Sequence, residues 1–541
     1  MNKTFKRILV TSLTASTFIF APQIYGSNFI SVAQAEIKTY SGEGKYIMSD
    51  FENAEIAKQR ARNRAEQAAK DSAGVFLSQY SVAENFNLVK NEIITITNNI
   101  VNIVGKVNYT QKTDTLESMP VIIWTATLEA NIDTDGISDW LRLNDKEKNE
   151  LLAQNESLKK ALEFNNNQLE KLKAFYNKSS SQVEKDKIKA EIDALDKDFS
   201  AIQKFGEGNK FYYFKKYDEA IKLYTEIIDL NPYIEGVYNN RGLAYYHLKK
   251  YDLATADFNK AIELNSGDLY LPYNNRGMVH YELNDYDTAT ADYSQALKIN
   301  PNFAEGYNNR GVAYEKLEQY DAAIADFNRA LKINPNYSEA YNNLGSVYGE
   351  LNDHQKAIEN YTIAINLNPN LGYVYYNRAL EYVFLMQYDA AISDFNRAIK
   401  LDPNDAGAYC DRGVTLGMLG KHDAAIADFN KAIEINPNFS DAYNNRSYTY
   451  CLIGNYDKAI SDCNKAIELN QNNFNAYGTR GVIYTKLKKY NKAVPDLDKA
   501  IQMGTADGEI YNSRGICHKK LGEIEKAEAD FAKAKELGYN G

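Results

Sequence analysis

Over most of the chain, apolar and small residues recur at helical spacing in two short stretches separated by a break, and this pair is written again and again. In one copy Gly311, Tyr314 and Leu317 share a helical face, Ala323, Phe327, Ala330 and Leu331 share the next, and Pro335 closes the unit where a helix cannot continue. Reading Tyr-Asn-Asn-Arg-Gly and its degenerate forms as the marker gives Tyr238, Tyr273, Tyr307, Tyr341, Tyr375, Tyr409, Tyr443, Tyr477 and Tyr511, spaced by 35 residues once and by 34 thereafter. A further copy at Lys204 makes ten repeats. A fixed period of this size predicts an array of helical hairpins, none able to bury its apolar face alone. An alanine stands at the expected helix crossing in every copy, from Ala220 and Ala254 to Ala493 and Ala527. Only a small side chain lets two helix axes approach there, and enlarging it overpacks by ~1–3 kcal/mol.

This Gly, Tyr, Ala, Phe/Tyr, Ala, Pro pattern resembles the tetratricopeptide repeat family over residues 204–541. The resemblance implies a mainly α fold, a ten-repeat right-handed α-solenoid, here preceded by a helical or coiled-coil linker and a small α+β N-terminal domain.

The first 35 residues follow another pattern. Lys3, Lys6 and Arg7 precede an apolar run from Ile8 to Ala21, and Ala33-Gln34-Ala35 follows. That is the layout of a secretory signal with a small-x-small cleavage site, on a run too short to span a bilayer comfortably. The mature chain is expected to begin at Glu36; the alternative is an uncleaved anchor. Residues 36–142 alternate like strands over 37–48, 101–111 and 121–132, and are Ala-rich and helical from Asn53 to about Gln79 and again around Ile93–Ile100. Gly42-Glu43-Gly44, the Ala57–Ala69 run, Ala73-Gly74-Val75 and the Ala126–Asp133 strand resemble a bacterial envelope domain, that of the flagellar assembly protein T N-terminus and related outer-membrane lipoproteins. The resemblance implies an exported protein, periplasmic or associated with the cell envelope or a membrane surface.

From 143 to 203 the chain turns polar, with Leu151, Leu158, Leu162, Leu169, Leu172 and Tyr176 at 3–4 spacing. After Ser179-Ser180-Ser181 the spacing resumes at Ile188, Ile192, Leu195, Phe199 and Ile202, and Asn155 and Asn165 interrupt the seam. The pattern fits either a coiled coil making a homo-oligomer or an intrachain helical hairpin.

The formal net charge of −10 becomes more negative once the basic leader is removed, which argues against phosphate backbones and nucleic acid as partners. The α+β region contains no His and no Cys, so a general-base imidazole, a thiol nucleophile and the usual zinc ligands are missing from the one non-repeat globular part. His247, His280, His354, His422 and His518 are scattered through the repeats, and no catalytic residue, cofactor or metal is expected. Cys410, Cys451, Cys463 and Cys517 form no CxxC pair; Cys463 takes a column otherwise held by Phe or Tyr and reads as buried and apolar, with a Cys451–Cys463 disulfide as the alternative.

Comparing the copies with one another exposes two further columns. Arg241, Arg276, Arg310, Arg378, Arg412, Arg446, Arg480 and Arg514 each have an Asp sixteen residues on, whereas the copies with Glu207 and Leu344 have Leu223 and Asn360 instead. Joint loss of both partners is what a partly buried ion pair requires. Just before that Arg stand Asn240, Asn275, Asn309, Asn343, Asn377 and Asn445, with Asp411 among them. One residue per repeat makes a continuous row. These amides either hydrogen-bond between repeats or, as the family resemblance implies, hold an extended peptide on the concave face. In repeats six to eight the same face is expected to carry Tyr376, Leu380, Val383, Phe384, Val414, Met418, Tyr448 and Leu452, an apolar strip that either anchors a partner or is buried by tight curvature. These residues predict a noncatalytic scaffold for protein or peptide partners. The alternatives are a structural subunit of an envelope assembly and a regulator of an envelope enzyme.

Overall fold

The computed structural model describes residues 39–48, 54, 57–66, 68–70, 101–116, 119–132, 145–264, 269–505 and 507–539. The leader, the expected helix around 93–100 and residues 71–79 lie outside them. Contacts divide the chain into two units, 28–302 and 303–541.

The first unit opens with strands β1 (Thr39–Met48), β2 (Val101–Leu116) and β3 (Met119–Ile132), in the antiparallel order β1-β3-β2 with a register shift between Val104 and Asn108. Because side chains alternate along a strand, the pairing Tyr46↔Trp124 and Met48↔Ile122 puts Tyr46, Met48, Ala126 and Leu128 on one face. The helix described over 57–66 and 68–70, α1, covers that face with Ala57, Ala61, Ala65 and Ala69, all fully buried at four-residue spacing. An alanine stripe brings the helix close to the sheet.

Two long helices follow, α2 (Asp145–Lys178) and α3 (Gln182–Tyr213), packed against each other around the Ser179–Ser181 turn. Their seam closes within the chain: Leu169, Ile188 and Ile192 are buried with the sheet and α1, and Leu172, Tyr176 and Leu195 pack around them. Asn165 donates to the Leu195 carbonyl at 2.8 Å, and Arg60 of α1 pairs with Asp196 at 2.9 Å. This is the hairpin arrangement of the two that the pattern allowed. α3 continues through residue 204 without interruption, so its last ten residues are the first helix of repeat one.

That repeat is completed by α4 (Tyr217–Leu230), and α5 (Glu235–His247) with α6 (Tyr251–Leu264) and α7 (Tyr270–Glu282) with α8 (Tyr286–Ile299) form the next two. The second unit contains seven hairpins: α9 (Ala304–Lys316) and α10 (Tyr320–Ile333), α11 (Ser338–Glu350) and α12 (His354–Leu367), α13 (Gly372–Phe384) and α14 (Tyr388–Leu401), α15 (Ala406–Met418) and α16 (His422–Ile435). The last three are α17 (Ser440–Leu452) and α18 (Tyr456–Leu469), α19 (Phe474–Lys486) and α20 (Tyr490–Gln502), and α21 (Gly508–Leu521) and α22 (Ile524–Glu536).

Each hairpin is built the same way. The crossing alanines are buried, from Ala220 at 0 % exposure to Ala527 at 2 %. In most copies a central glycine faces the aromatic ring sixteen residues later, so closely that a Cβ on Gly311 would lie 2.7 Å from Phe327 Cε1; repeat six has Ala379 in that place, and Gly481 of repeat nine faces Leu497. Where repeat eight has Ser447 instead of Gly, the ring is replaced by Cys463, and Ser447 Oγ lies 2.9 Å from its Sγ while donating to Ala459 O. The four cysteines are free thiols, all buried, so the Cys451–Cys463 disulfide is not formed. Burial pushes the Cys463 thiol up to about 12.

Candidate functional site

All eight Arg–Asp pairs form, each through Nε and Nη2 to the two carboxylate oxygens; in repeat six the Arg378–Asp394 distances are 2.7 and 2.9 Å. Such a fork-to-fork match is the strong form of the pair. A third partner was not legible from the column comparison. Nη1 of Arg241, Arg276, Arg378, Arg412, Arg446, Arg480 and Arg514 donates to Thr225, Asn259, Thr362, Asn396, Asn430, Asn464 and Asp498, on the second helix of the preceding repeat. One side chain thus joins three helices. The marker tyrosine three residues earlier lies beneath it, as Tyr375 does 5.8 Å from Arg378 Cζ, which accounts for both ends of Tyr-Asn-Asn-Arg.

The asparagine row also runs between repeats. Asn240 donates to Asn209 Oδ1, Asn275 to Asn239, Asn343 to Asn308 and Asn377 to Asn342, at 2.9 to 3.1 Å. Asn240, Asn275 and Asn343 in turn accept from the amide one residue before each of them. Asn309 is half-buried in the same column. At Asn240, Asn275 and Asn343 two of the amide's four bonding sites are therefore used inside the array.

At repeats six and seven the ladder changes chemistry. Tyr376 and Cys410 replace its acceptor asparagines; Tyr376 Oη donates to Asp411 Oδ2 at 2.7 Å, and Asn445 is left with the Cys410 sulfur at 3.5 Å. Burial pushes the Asp411 carboxyl up to about 7, against the Tyr376 hydrogen bond, and the nearby carboxylates Asp405 and Asp441 add to the rise.

The apolar strip needs correction. Val383, Val414 and Met418 are 6 %, 7 % and 9 % exposed and belong to one core with Phe395 and Phe429. Phe384 stacks on His354 of the preceding hairpin at 4.9 Å, within 7° of parallel, while His354 Nδ1 bonds Glu381 at 2.7 Å. The physical reason is proximity. First helices of successive repeats touch one another in this unit more than second helices do, so their long side chains interlock. Five of the expected residues keep a surface: Tyr376, Leu380, Phe384 and Tyr448 are half-buried, and Leu452 is 47 % exposed. Toward the end of the array the approach is closer still, with small residues between helices: a Cβ on Gly478 of α19 would meet Ile510 of α21, and Thr485 Oγ1 lies 3.1 Å from Cys517 Sγ.

Of the buried carboxylates at the first helices, Asp405, Asp441 and Glu509 went unnoticed in the sequence. Burial raises Glu315, Asp405, Asp441 and Glu509, opposed by hydrogen bonds from Ser346, the Ala408 amide and Asn473 and by the charge of Lys486 respectively. None of these four, nor Asp411, lies in an ion pair among the described residues. Glu315 is the one acid in its column, Asp405 shares its place with Asp507, and Asp441 and Glu509 share theirs with Glu305 and Glu339, so no column is acidic throughout.

No described helix is long and apolar enough to cross a membrane. Models of the tetratricopeptide repeat match residues 237–268, 304–337, 338–371, 372–405 and 406–439, then 429–461, 463–494 and 508–537, and a TPR repeat model matches 277–318. No curated protein matches. Among solved structures, YrrB, described as a TPR protein with an unusual peptide-binding site, is 26 % identical, with 34 % of this chain covering 95 % of that one at a TM-score of 0.31. MamA is 29 % identical, with coverages of 31 % and 92 % and a TM-score of 0.29. A tetratricopeptide repeat protein from Parabacteroides merdae is 22 % identical, with coverages of 46 % and 99 % and a TM-score of 0.39. With the repeat matches together taking in more than half of its residues, the chain belongs to the tetratricopeptide repeat family.

Proposed function

We propose that the protein is an exported, noncatalytic interaction scaffold that holds a cationic, partly apolar protein segment against the first helices of repeats six to eight. The observation that carries this reading is the company kept by Asp411 and Asp441: carboxylates raised by burial, without a cationic partner, beside the surviving surface of Tyr376, Leu380, Tyr448 and Leu452. A lysine or arginine from outside supplies the missing charge, and an apolar neighbour covers Leu452. Unused sites on Asn377 and Asn445 remain for the backbone of the bound segment. Synthetic fifteen-residue peptides with lysines interleaved among leucines, and matched peptides with glutamates, test the proposal by fluorescence anisotropy on the full chain. Tight binding of the lysine series, lost about tenfold or more in Asp411→Asn with Asp441→Asn, is expected. Equal binding of both series, or an unchanged double variant, sinks it.

Export and an envelope location rest on the leader and on the envelope-like pattern of the N-terminal domain. N-terminal sequencing of protein from the cell envelope is expected to begin at Glu36; an intact Met1 refutes cleavage. A second reading, self-assembly through residues 143–203, has its own support. The seam is filled from within, but Phe164, Phe175 and Val183 are 64 %, 63 % and 70 % exposed on the hairpin's outer surface. Sedimentation of the full chain beside Phe164→Ser with Phe175→Ser decides it: a dimer that the substitutions dissociate supports assembly, and a monomer in both excludes it.

A further inference from the structure

The first unit contains a solvent-open pocket of about 270 Å³ lined by residues of β1, α1 and the α2–α3 hairpin. By liquid volume that is room for about nine waters, or for a small organic ion. Its charged residues are unevenly matched. Arg60 is 3 % exposed and neutralised by Asp196, its Nη1 reaches Asn166 at 2.5 Å, and its Nε is buried without a partner. Glu66, the one carboxylate on the wall, is held by Arg62 at 2.7 Å. Arg64 and Lys70 also line the cavity, and neither has a carboxylate within ion-pair distance among the described residues. Among the described residues Arg64 donates to the Lys45 carbonyl alone, at 2.6 Å, and rests over the Tyr46 ring at 5.3 Å.

Among the described residues, two cations thus remain uncompensated in one concavity of a protein whose net charge is −10. Aromatic walls, Tyr46 on one side and Phe199 on another, lower the local dielectric and focus their field inward. Among the described residues, Arg64 has N–H groups on its guanidinium left over from the Lys45 bond, and the ammonium of Lys70 has no acceptor. We propose that this cavity binds a small oxyanion, the phosphate or carboxylate group of a soluble metabolite or of a lipid headgroup, clasped between Arg64 and Lys70. The inference is independent of the proposed peptide site, since it uses other residues in the other unit.

The test uses the full chain, titrated calorimetrically with inorganic phosphate and separately with citrate, at an ionic strength held constant with chloride. Arg64 is exposed and Lys70 half-buried, so Arg64→Gln and Lys70→Gln are tolerated by the fold, and far-ultraviolet circular dichroism checks this. Saturable binding weakened about tenfold or more in the double variant supports the site. A parallel arm measures cosedimentation with phosphatidylglycerol vesicles against phosphatidylcholine vesicles. Variant-sensitive binding to the anionic vesicles alone assigns the oxyanion to a lipid, and variant-sensitive binding of the soluble probes assigns it to a metabolite. Heats equal to those of chloride, together with vesicle binding unaffected by the substitutions, overturn the proposal.

Discussion

Replacing Arg378 by Leu isolates what one charge staple contributes. Its guanidinium donates to both oxygens of Asp394, at 2.7 and 2.9 Å, and to Thr362 Oγ1 at 2.9 Å. Asp394 is 7 % exposed, so leaving its carboxylate alone costs ~3–5 kcal/mol. Losing the Thr362 contact adds only ~0.5–1.5 kcal/mol, because that hydroxyl still donates to Ile358 O. The double substitution Arg378→Leu with Asp394→Asn imitates repeat five, where Leu344 is 4 % exposed and Asn360 donates its amide to Lys356 O at 2.8 Å. No charge is stranded there, and the expected cost falls to ~1–2 kcal/mol. Long repeat arrays unfold in parts, so a single melting temperature is a poor measure. Hydrogen exchange followed by mass spectrometry, on peptides from α12 to α14, reads the opening free energy locally. The single substitution is expected to accelerate exchange across all three helices well beyond the double. If the double variant exchanges as fast as the sum of the two single effects, the carboxylate is not stranded by losing Arg378, and the reasoning fails.

Three further outcomes are expected. Cys463→Phe alone should destabilise by ~1–3 kcal/mol, because Ser447 occupies the space that the ring needs, and adding Ser447→Gly should recover most of the loss; denaturant midpoints without such recovery would show that the two positions do not share volume. Asp411 is expected to favour the folded state fully below the ordinary carboxylate range and to lose that contribution as pH rises through about 7. A rise from ~4 to that value is worth up to ~4 kcal/mol, which residual solvent contact reduces to ~1–2. Asp411→Asn should therefore stabilise at pH 8 and do little at pH 4, as urea titrations at the two pH values would reveal; an equal effect at both contradicts the assignment. The four buried thiols should remain unlabelled by a thiol reagent under native conditions and all react in denaturant; rapid native labelling would contradict their burial.

The repeat architecture was legible because the same geometric demands recur from copy to copy at a nearly fixed spacing. The crossing alanine, as at Ala323, stands in all ten copies, whereas the glycine found at Gly311, opposite Phe327, and the Arg310–Asp326 pair each recur in eight. The strand pattern of the N-terminal region reappears as β1, β2 and β3 for a similar local reason, the two-residue alternation. The candidate site was less legible. Val414 and Met418 were expected on the groove strip because helical periodicity tells which face a residue occupies, not how near the next first helix comes. Asp405, Asp441 and Glu509 were passed over for a related reason. Their burial is set by the helices packed around them, which spacing within one copy does not show. The third partner of each arginine crosses between repeats, so a comparison made within one copy misses it.

The uninterrupted course of α3 bears on how the protein can be divided. Its 32 residues, at about 1.5 Å each, make a rod of roughly 48 Å that carries Ile188 and Ile192 in the N-terminal core and Asn209 and Tyr213 in repeat one. Tyr213 Oη also reaches back to Glu150 of α2 at 3.1 Å. A cut at 203/204 would sever that rod and leave Tyr224 and Ile227 facing a frayed ten-residue stub, whereas a cut before α2 would leave repeat one capped. The helix acts as an axle: turning the sheet domain turns the first hairpin with it, and separate halves prepared by cutting through it would no longer report how the two ends behave when joined.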